Sequence, residues 1–216
     1  MTLGDVESRL RAALAGPLPG LEAQRRLAPK PRPGWLRDVA PEDCRPAAGL
    51  LLLFPVGEAA HLVLTLRSTG LPNHAGQVSL PGGAVEPDET VEQAALREAH
   101  EEIGLDPARV RLIGRLTPLH IPVSGFILYP VVGVMDERPV LRPANAEVER
   151  VLEPALDDLL DPASLRYRSR TRDGLFQEVP YFDTTGVEVW GATAMVLSEF
   201  LSVLDAGAIR PQPRVP

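Results

Sequence analysis

Three glutamates in one short stretch carry the strongest chemical signal in the chain. Gly83-Ala-Val-Glu-Pro-Asp-Glu89 is followed, after seven residues, by Arg97-Glu98-Ala-His-Glu101-Glu102-Ile103-Gly104-Leu105. On a helix advancing about 100° per residue, Glu98 and Glu102 lie about 40° apart, with Glu101 about 60° from Glu98 on the other side. The three carboxylates therefore share one face, on the shoulder of the apolar stripe made by Val91, Ala94, Ala95, Ala99 and Ile103. Held about 6 Å apart, they repel by roughly 3 kcal/mol per pair at an effective dielectric near 20. A half-buried group of this kind must take up protons or bind cations. An all-oxygen donor set selects a hard divalent ion, Mg²⁺ or Mn²⁺, which commonly shares phosphate oxygens of a substrate. That points to chemistry at phosphorus. Arg97 lies at the edge of the face, placed to brace Glu89 by a charge-assisted pair. Gly82 and Gly83, after Pro81, let the backbone approach closely and leave a carbonyl available as a ligand.

The elements around this stretch are marked by local signals. Thr90 with Gln93 three residues on is a capping box, and Gly104 supplies the left-handed stop, so the spacing predicts a helix between them. Strands are expected over 47–54 and 62–67, with Pro55, Gly57 and Glu58 as the turn, and over 110–116 and 126–135. The last is almost continuously apolar and so central in a sheet. Residues 68–80 read as an ordered loop. A further strand is expected over 147–152, a short helix over 155–160, and a hairpin about Asp173-Gly174. Helices are expected over 6–15 and 193–204, and an extended proline-rich arm over 29–46. Strands and helices mix without strict alternation, which favours an α+β class: a mixed central sheet with helices on both faces. The expected organisation is a helix and arm over 1–45, a catalytic domain over 46–206 and a tail over 207–216.

Gly, five residues, Glu, seven residues, Arg-Glu-aliphatic-any-Glu-Glu-any-Gly-aliphatic is the box of the Nudix hydrolases, and this chain meets every fixed position. Seven fixed matches arise by chance about once in a million, at about 6% usage per residue type. The resemblance extends over about residues 45–206 and implies the family's α/β/α sandwich. It also implies hydrolysis of a nucleotide diphosphate, with Glu98, Glu101 and Glu102 as metal ligands, Gly82 contributing a backbone oxygen, and Arg97 with Glu89 holding the loop-helix-loop together. Glu147, in Asn145-Ala-Glu-Val148, resembles the place of one more acidic ligand or base; a plain surface residue is an equal reading. The proton acceptor stays open between Glu98 and Glu147.

A narrower match lies upstream: Leu64-Thr-Leu-Arg67-Ser68, then His74-Ala-Gly-Gln77-Val78, then Pro81-Gly82-Gly83. It resembles the signature of the coenzyme A pyrophosphatase branch, with Pro72 where that signature has arginine and Leu80 where it has phenylalanine. Trp190-Gly-Ala-Thr193 is similar to the same branch. The resemblance implies substrate contacts from Arg67, Ser68, His74 and Gln77, with 3',5'-ADP and 4'-phosphopantetheine as products. From its loop setting alone, His74 reads as a hydrogen-bond partner that orders the loop. Arg168, Arg170 and Arg172 alternate along one strand face, where solvation suffices to explain them. ADP-ribose or NADH is the alternative substrate, and a nucleotide-sensing module without catalysis the alternative function.

Composition narrows the field. The chain has 216 residues, a net charge of −7 and 44% hydrophobic residues, which suits one globular domain and disfavours a general nucleic-acid binder. Cys44 is the only cysteine, so neither an intrachain disulfide nor a thiolate zinc site can form. No run reaches membrane-spanning length and the N-terminus lacks a secretory signal, so a cytoplasmic enzyme with a small-molecule partner is expected. A homodimer stays open.

Overall fold

In the computed structural model, residues 1–31, 44–71, 74–172, 174–184, 186–205, 207 and 209 are described. The expected Pro72 departure, most of the proline-rich arm and most of the tail lie outside them.

The strand β1 (Arg45–Val56) is the spine. It pairs in parallel with β8 (Phe126–Val134) and antiparallel with β2 (Ala59–Leu62) and β5 (Gly82–Ala84). β6 (Arg111–Arg115) and β7 (Leu119–Ile121) pair with β8, completing a six-stranded mixed sheet with β8 in its interior, as its apolar run requires. Because side chains alternate along a strand, β1 divides its residues between two cores. Ala48, Leu50, Leu52 and Phe54 face α3 (Val91–Ile103), whose Ala94, Ala95 and Ala99 allow close approach. Leu51 and Leu53 face the opposite core, built with α1 (Leu3–Leu14) and α5 (Ala192–Leu204). Helices thus cover both faces of a mixed sheet.

The expected single strand over 62–67 is corrected. Ala59–Leu62 pairs with β1, whereas β3 (Leu64–Arg67) leaves for a second sheet between β4 (Val78–Ser79) and β9 (Val148–Leu152). The switch occurs at Val63, whose N–H still donates to the Leu52 carbonyl at 3.2 Å. This hand-over brings Arg67 and the 74–79 segment beside α3. A third sheet joins β10 (Leu165–Arg172), β11 (Leu175–Thr184) and β12 (Val187–Trp190), with the expected hairpin closing at Arg172 and Leu175. The short strands β4, β5, β7 and β12 carried too few residues to show a period.

The first thirty residues are packed rather than appended. Val6 and Leu10 of α1, with Ala23 of α2 (Gly20–Arg26), are fully buried. The Glu199 carboxylate of α5, buried completely, accepts from the Gly20 N–H (3.2 Å), the Gln24 amide (2.8 Å) and the Thr117 N–H (3.2 Å). α4 (Leu156–Leu160) closes the fold against β2.

Candidate active site

The α3 helix begins and ends as its sequence demands. The Thr90 hydroxyl accepts from the Gln93 N–H at 3.2 Å, the Gln93 side chain accepts from the Thr90 N–H at 2.7 Å, and Gly104 caps the end at φ 68°. The last carbonyls are also satisfied, since the Arg142 N–H donates to Ile103 and the Ala144 N–H to Glu102. With both ends fixed, the rotation of the glutamates about the helix axis is fixed too.

Their shared face is graded in depth. Glu101 is exposed, Glu98 is half-buried and Glu102 is only 3% exposed. Glu102 lies against β5, where its carboxylate accepts from the Gly82 N–H at 3.2 Å. Burial pushes its pKa up to about 7, opposed by that hydrogen bond and by Arg67 and reinforced by the charges of Glu98 and Glu147. Burial also raises the Glu98 carboxyl, against the pull of Arg97, with Glu101 and Glu147 adding to the rise.

Arg97 holds the loop onto the helix. Its guanidinium donates to both oxygens of Glu89 at 2.8 and 3.1 Å, to Glu98 at 2.9 Å and to the Ala84 carbonyl at 3.1 Å. The bidentate pair holds Glu89 below the ordinary carboxylate range and Arg97 above the ordinary guanidinium value. The second contact of Glu89, from the Glu86 N–H at 2.7 Å, closes the turn before α3. Gly83 leaves room for this packing, because a Cβ there would meet the Glu98 carboxylate and push it aside.

Glu147 joins the group from β9's leading turn. The Asn145 side chain accepts from the Glu147 and Val148 N–H groups, and the Ser68 N–H donates to the Glu147 carbonyl at 2.7 Å. Arg67 spans the gap, 3.1 Å from Glu147 and 3.8 Å from Glu102, while its Nε–H is buried without a partner among the described residues. Glu147 is therefore close enough for its charge to raise the proton affinity of both Glu98 and Glu102, with Glu101 at the outer edge. Among the described residues no three acidic side chains already converge as a finished cage. The donors are nonetheless all hard oxygens, carried on one face of α3 beside the Gly82 backbone, so the residues fit a divalent cation.

The other expected positions line the neighbouring loop. His74 Nδ1 pairs with the Gln77 side chain at 3.0 Å, ordering the loop, while the Gln77 carbonyl accepts from the Arg67 N–H at 2.9 Å. Leu80 is buried against Gly49. Beyond the loop, the solvated reading is corrected for Arg168 and Arg170, while the Arg172 side chain lies outside the described residues. Arg168 is bonded to Glu188 at 2.7 Å, and the guanidiniums of Arg168 and Arg170 lie 5.4 and 4.9 Å from the Trp190 ring centroid. With Gly76 and Gln77 they line a cavity of about 660 Å³. The sequence showed their alternation; it held no sign of what faced them, since Trp190 is brought over by two strand pairings.

The model of the NUDIX domain matches residues 44–173. The chain is 34% identical over 139 residues to the uncharacterized Nudix hydrolase NudL of Photorhabdus laumondii, covering 64% of this chain and 74% of that one. It is 35% identical to the human mitochondrial coenzyme A diphosphatase NUDT8, covering 78% and 74%. It is 37% identical to the chloroplastic Nudix hydrolase 22 of Arabidopsis thaliana, covering 79% of this chain and 60% of that longer relative. The fold is similar to the crystal structure of the Mycobacterium smegmatis Nudix hydrolase RenU, with a TM-score of 0.51 at 22% identity, covering 79% and 89%. Nudix enzymes generally use divalent metal ions and act on small nucleotide molecules, a chemistry the graded carboxylates of α3 suit. The chain belongs to the Nudix family, as a hydrolase of pyrophosphate bonds.

Proposed function

We propose that this enzyme cleaves the diphosphate of coenzyme A or its derivatives, giving 3',5'-ADP and 4'-phosphopantetheine. The observation that carries the reading is the joining of the two motifs: Arg67, from the upstream signature, faces Glu102 of the box and Glu147 together. The similarity to a coenzyme A diphosphatase supports it from the side of sequence.

Glu98, Glu101 and Glu102, with the Gly82 carbonyl, are the residues that would hold Mg²⁺ or Mn²⁺. A bound cation would supply neutralisation of the diphosphate charge and polarisation of the attacking water. The chain's own groups do the rest. Arg97 keeps Glu98 oriented, and Arg67 is the donor placed for a diphosphate oxygen, its guanidinium reaching from one carboxylate to the other. Glu98 or Glu147 accepts the proton of the attacking water; Glu98, less exposed and with its proton affinity raised, is the better matched. Ser68 and Gln77 position this edge through their backbone bonds, and His74 orders the loop. No helix among the described residues is long and apolar enough to cross a membrane; our reading of the protein is a cytoplasmic enzyme acting on a small-molecule substrate.

The test is a side-by-side assay of coenzyme A, ADP-ribose and NADH with Mg²⁺ or Mn²⁺, products being separated by chromatography. Coenzyme A should show the highest kcat/KM, with 3',5'-ADP as product; equal or better turnover of ADP-ribose or NADH overturns the choice of substrate.

A further inference from the structure

The face of the third sheet that carries β10's arginines is unevenly paired. Arg166, Arg168 and Arg170 lie on one face of the strand, two residues apart. Arg166 is bonded to Asp183 at 2.7 Å and Arg168 to Glu188 at 2.7 Å. Arg170 has no acidic partner among the described residues, and its contact is the Trp190 ring at 4.9 Å. Arg168 keeps a buried Nε–H without a partner among the described residues. Three guanidiniums thus meet two carboxylates, and the surplus charge stands at the cavity of about 660 Å³ bounded by Gly76, Gln77, Arg168, Arg170, Glu188 and Trp190. That volume is ordinary for a small-ligand site.

Stacking over an indole fixes a guanidinium's plane while leaving its N–H edge available, the arrangement that suits a two-pronged bond to a phosphate. The cavity also adjoins the carboxylates through a single residue. Gly76 and Gln77 are joined to the Arg67 backbone by bonds of 3.1 and 2.9 Å, and the Arg67 side chain faces Glu102 and Glu147. Gly76 and Gln77 therefore border both the cavity and Arg67.

We infer that Arg170, stacked on Trp190, forms with Arg168 a second anion subsite, which binds a phosphomonoester carried by the substrate away from its scissile diphosphate. This deepens the coenzyme A reading and rests on it for the natural ligand, whose nucleoside end carries such a group. The subsite makes phosphate placement at the nucleoside a determinant of specificity, independent of the residues that act on the scissile bond.

Binding without turnover tests it. Titration calorimetry with Mg²⁺ compares adenosine 3',5'-bisphosphate with 5'-AMP on the whole chain. The wild type should bind the bisphosphate about ten- to a hundredfold more tightly, the usual range for a charge-assisted bond. Arg170→Ala should bring that ratio near one, and Arg170→Lys, which keeps charge and loses the planar fork, should leave an intermediate ratio. Unaltered thermal melting of both variants confirms that the exposed strand still folds. A ratio near one in the wild type overturns the subsite, as does a ratio that survives Arg170→Ala. Failure of coenzyme A turnover in the substrate assay sinks the choice of natural ligand instead, so the two failures are told apart.

Discussion

Replacing Glu102 with glutamine should change the pH dependence of stability in a calculable direction. The folded carboxyl is pushed from its ordinary 4.5 up to about 7, chiefly by burial. Below about pH 4.5 the group is protonated in both folded and unfolded chains and contributes no penalty. As pH rises from about 4.5 to 7 the unfolded chain releases the proton while the folded chain retains it, so stability falls across that window and levels off above it. The full effect is at most about 3 kcal/mol. Glutamine keeps an acceptor for the Gly82 N–H and does not titrate. Urea denaturation in EDTA, which keeps cations from masking the effect, should give similar stabilities for wild type and Glu102→Gln at pH 5. The variant should gain about 2 to 3 kcal/mol over wild type by pH 8, while losing turnover by two orders of magnitude or more. Taking the difference between the two proteins cancels all other titrations. A gap that is constant, or that narrows as pH rises, would refute the reasoning.

Two neighbouring glycines should respond in opposite ways. A Cβ on Gly82 would overlap the Ala48 carbonyl and lie 2.7 Å from the Gly49 Cα, so Gly82→Ala must part β5 from β1 and should lower stability by about 3 kcal/mol or more, read as a lower urea midpoint. Gly83→Ala meets only the end of the Glu98 side chain; melting should show a loss under about 1.5 kcal/mol while turnover falls about a hundredfold, because the carboxylate is displaced. Glu199→Ala leaves the buried Gln24 amide and two partly buried backbone N–H groups without this acceptor and should destabilise by about 2 to 4 kcal/mol, a loss that chemical denaturation measures directly.

The helix of the box could be read from sequence because its determinants are local: a cap at Thr90, a stop at Gly104 and a 3.6-residue period between them. The pairing of Arg97 with Glu89 followed from the same short stretch. Depth did not follow. Helical phase put three glutamates on one face, whereas the burial of Glu102 and exposure of Glu101 depend on where β5 lies, and β5 is only three residues long. The sheet switch at Val63 was hidden because apolar residues continue through both strands, so no break in pattern announced it. Arg170 gave no signal beyond alternation, since its meaning comes from Trp190 two strands away. The packing of α2 was illegible for the same reason, its polar anchor being one carboxylate near the opposite end of the chain.

That anchor bears on the order in which the molecule can be assembled. Gly20 and Gln24 are separated by 179 and 175 positions from the Glu199 that receives their hydrogen bonds. During synthesis α2 emerges long before its acceptor exists, and its polar anchor cannot form until α5 has left the ribosome. Contacts of such long range slow folding, and here they make completion of the N-terminal layer one of the last events on the way to a finished enzyme.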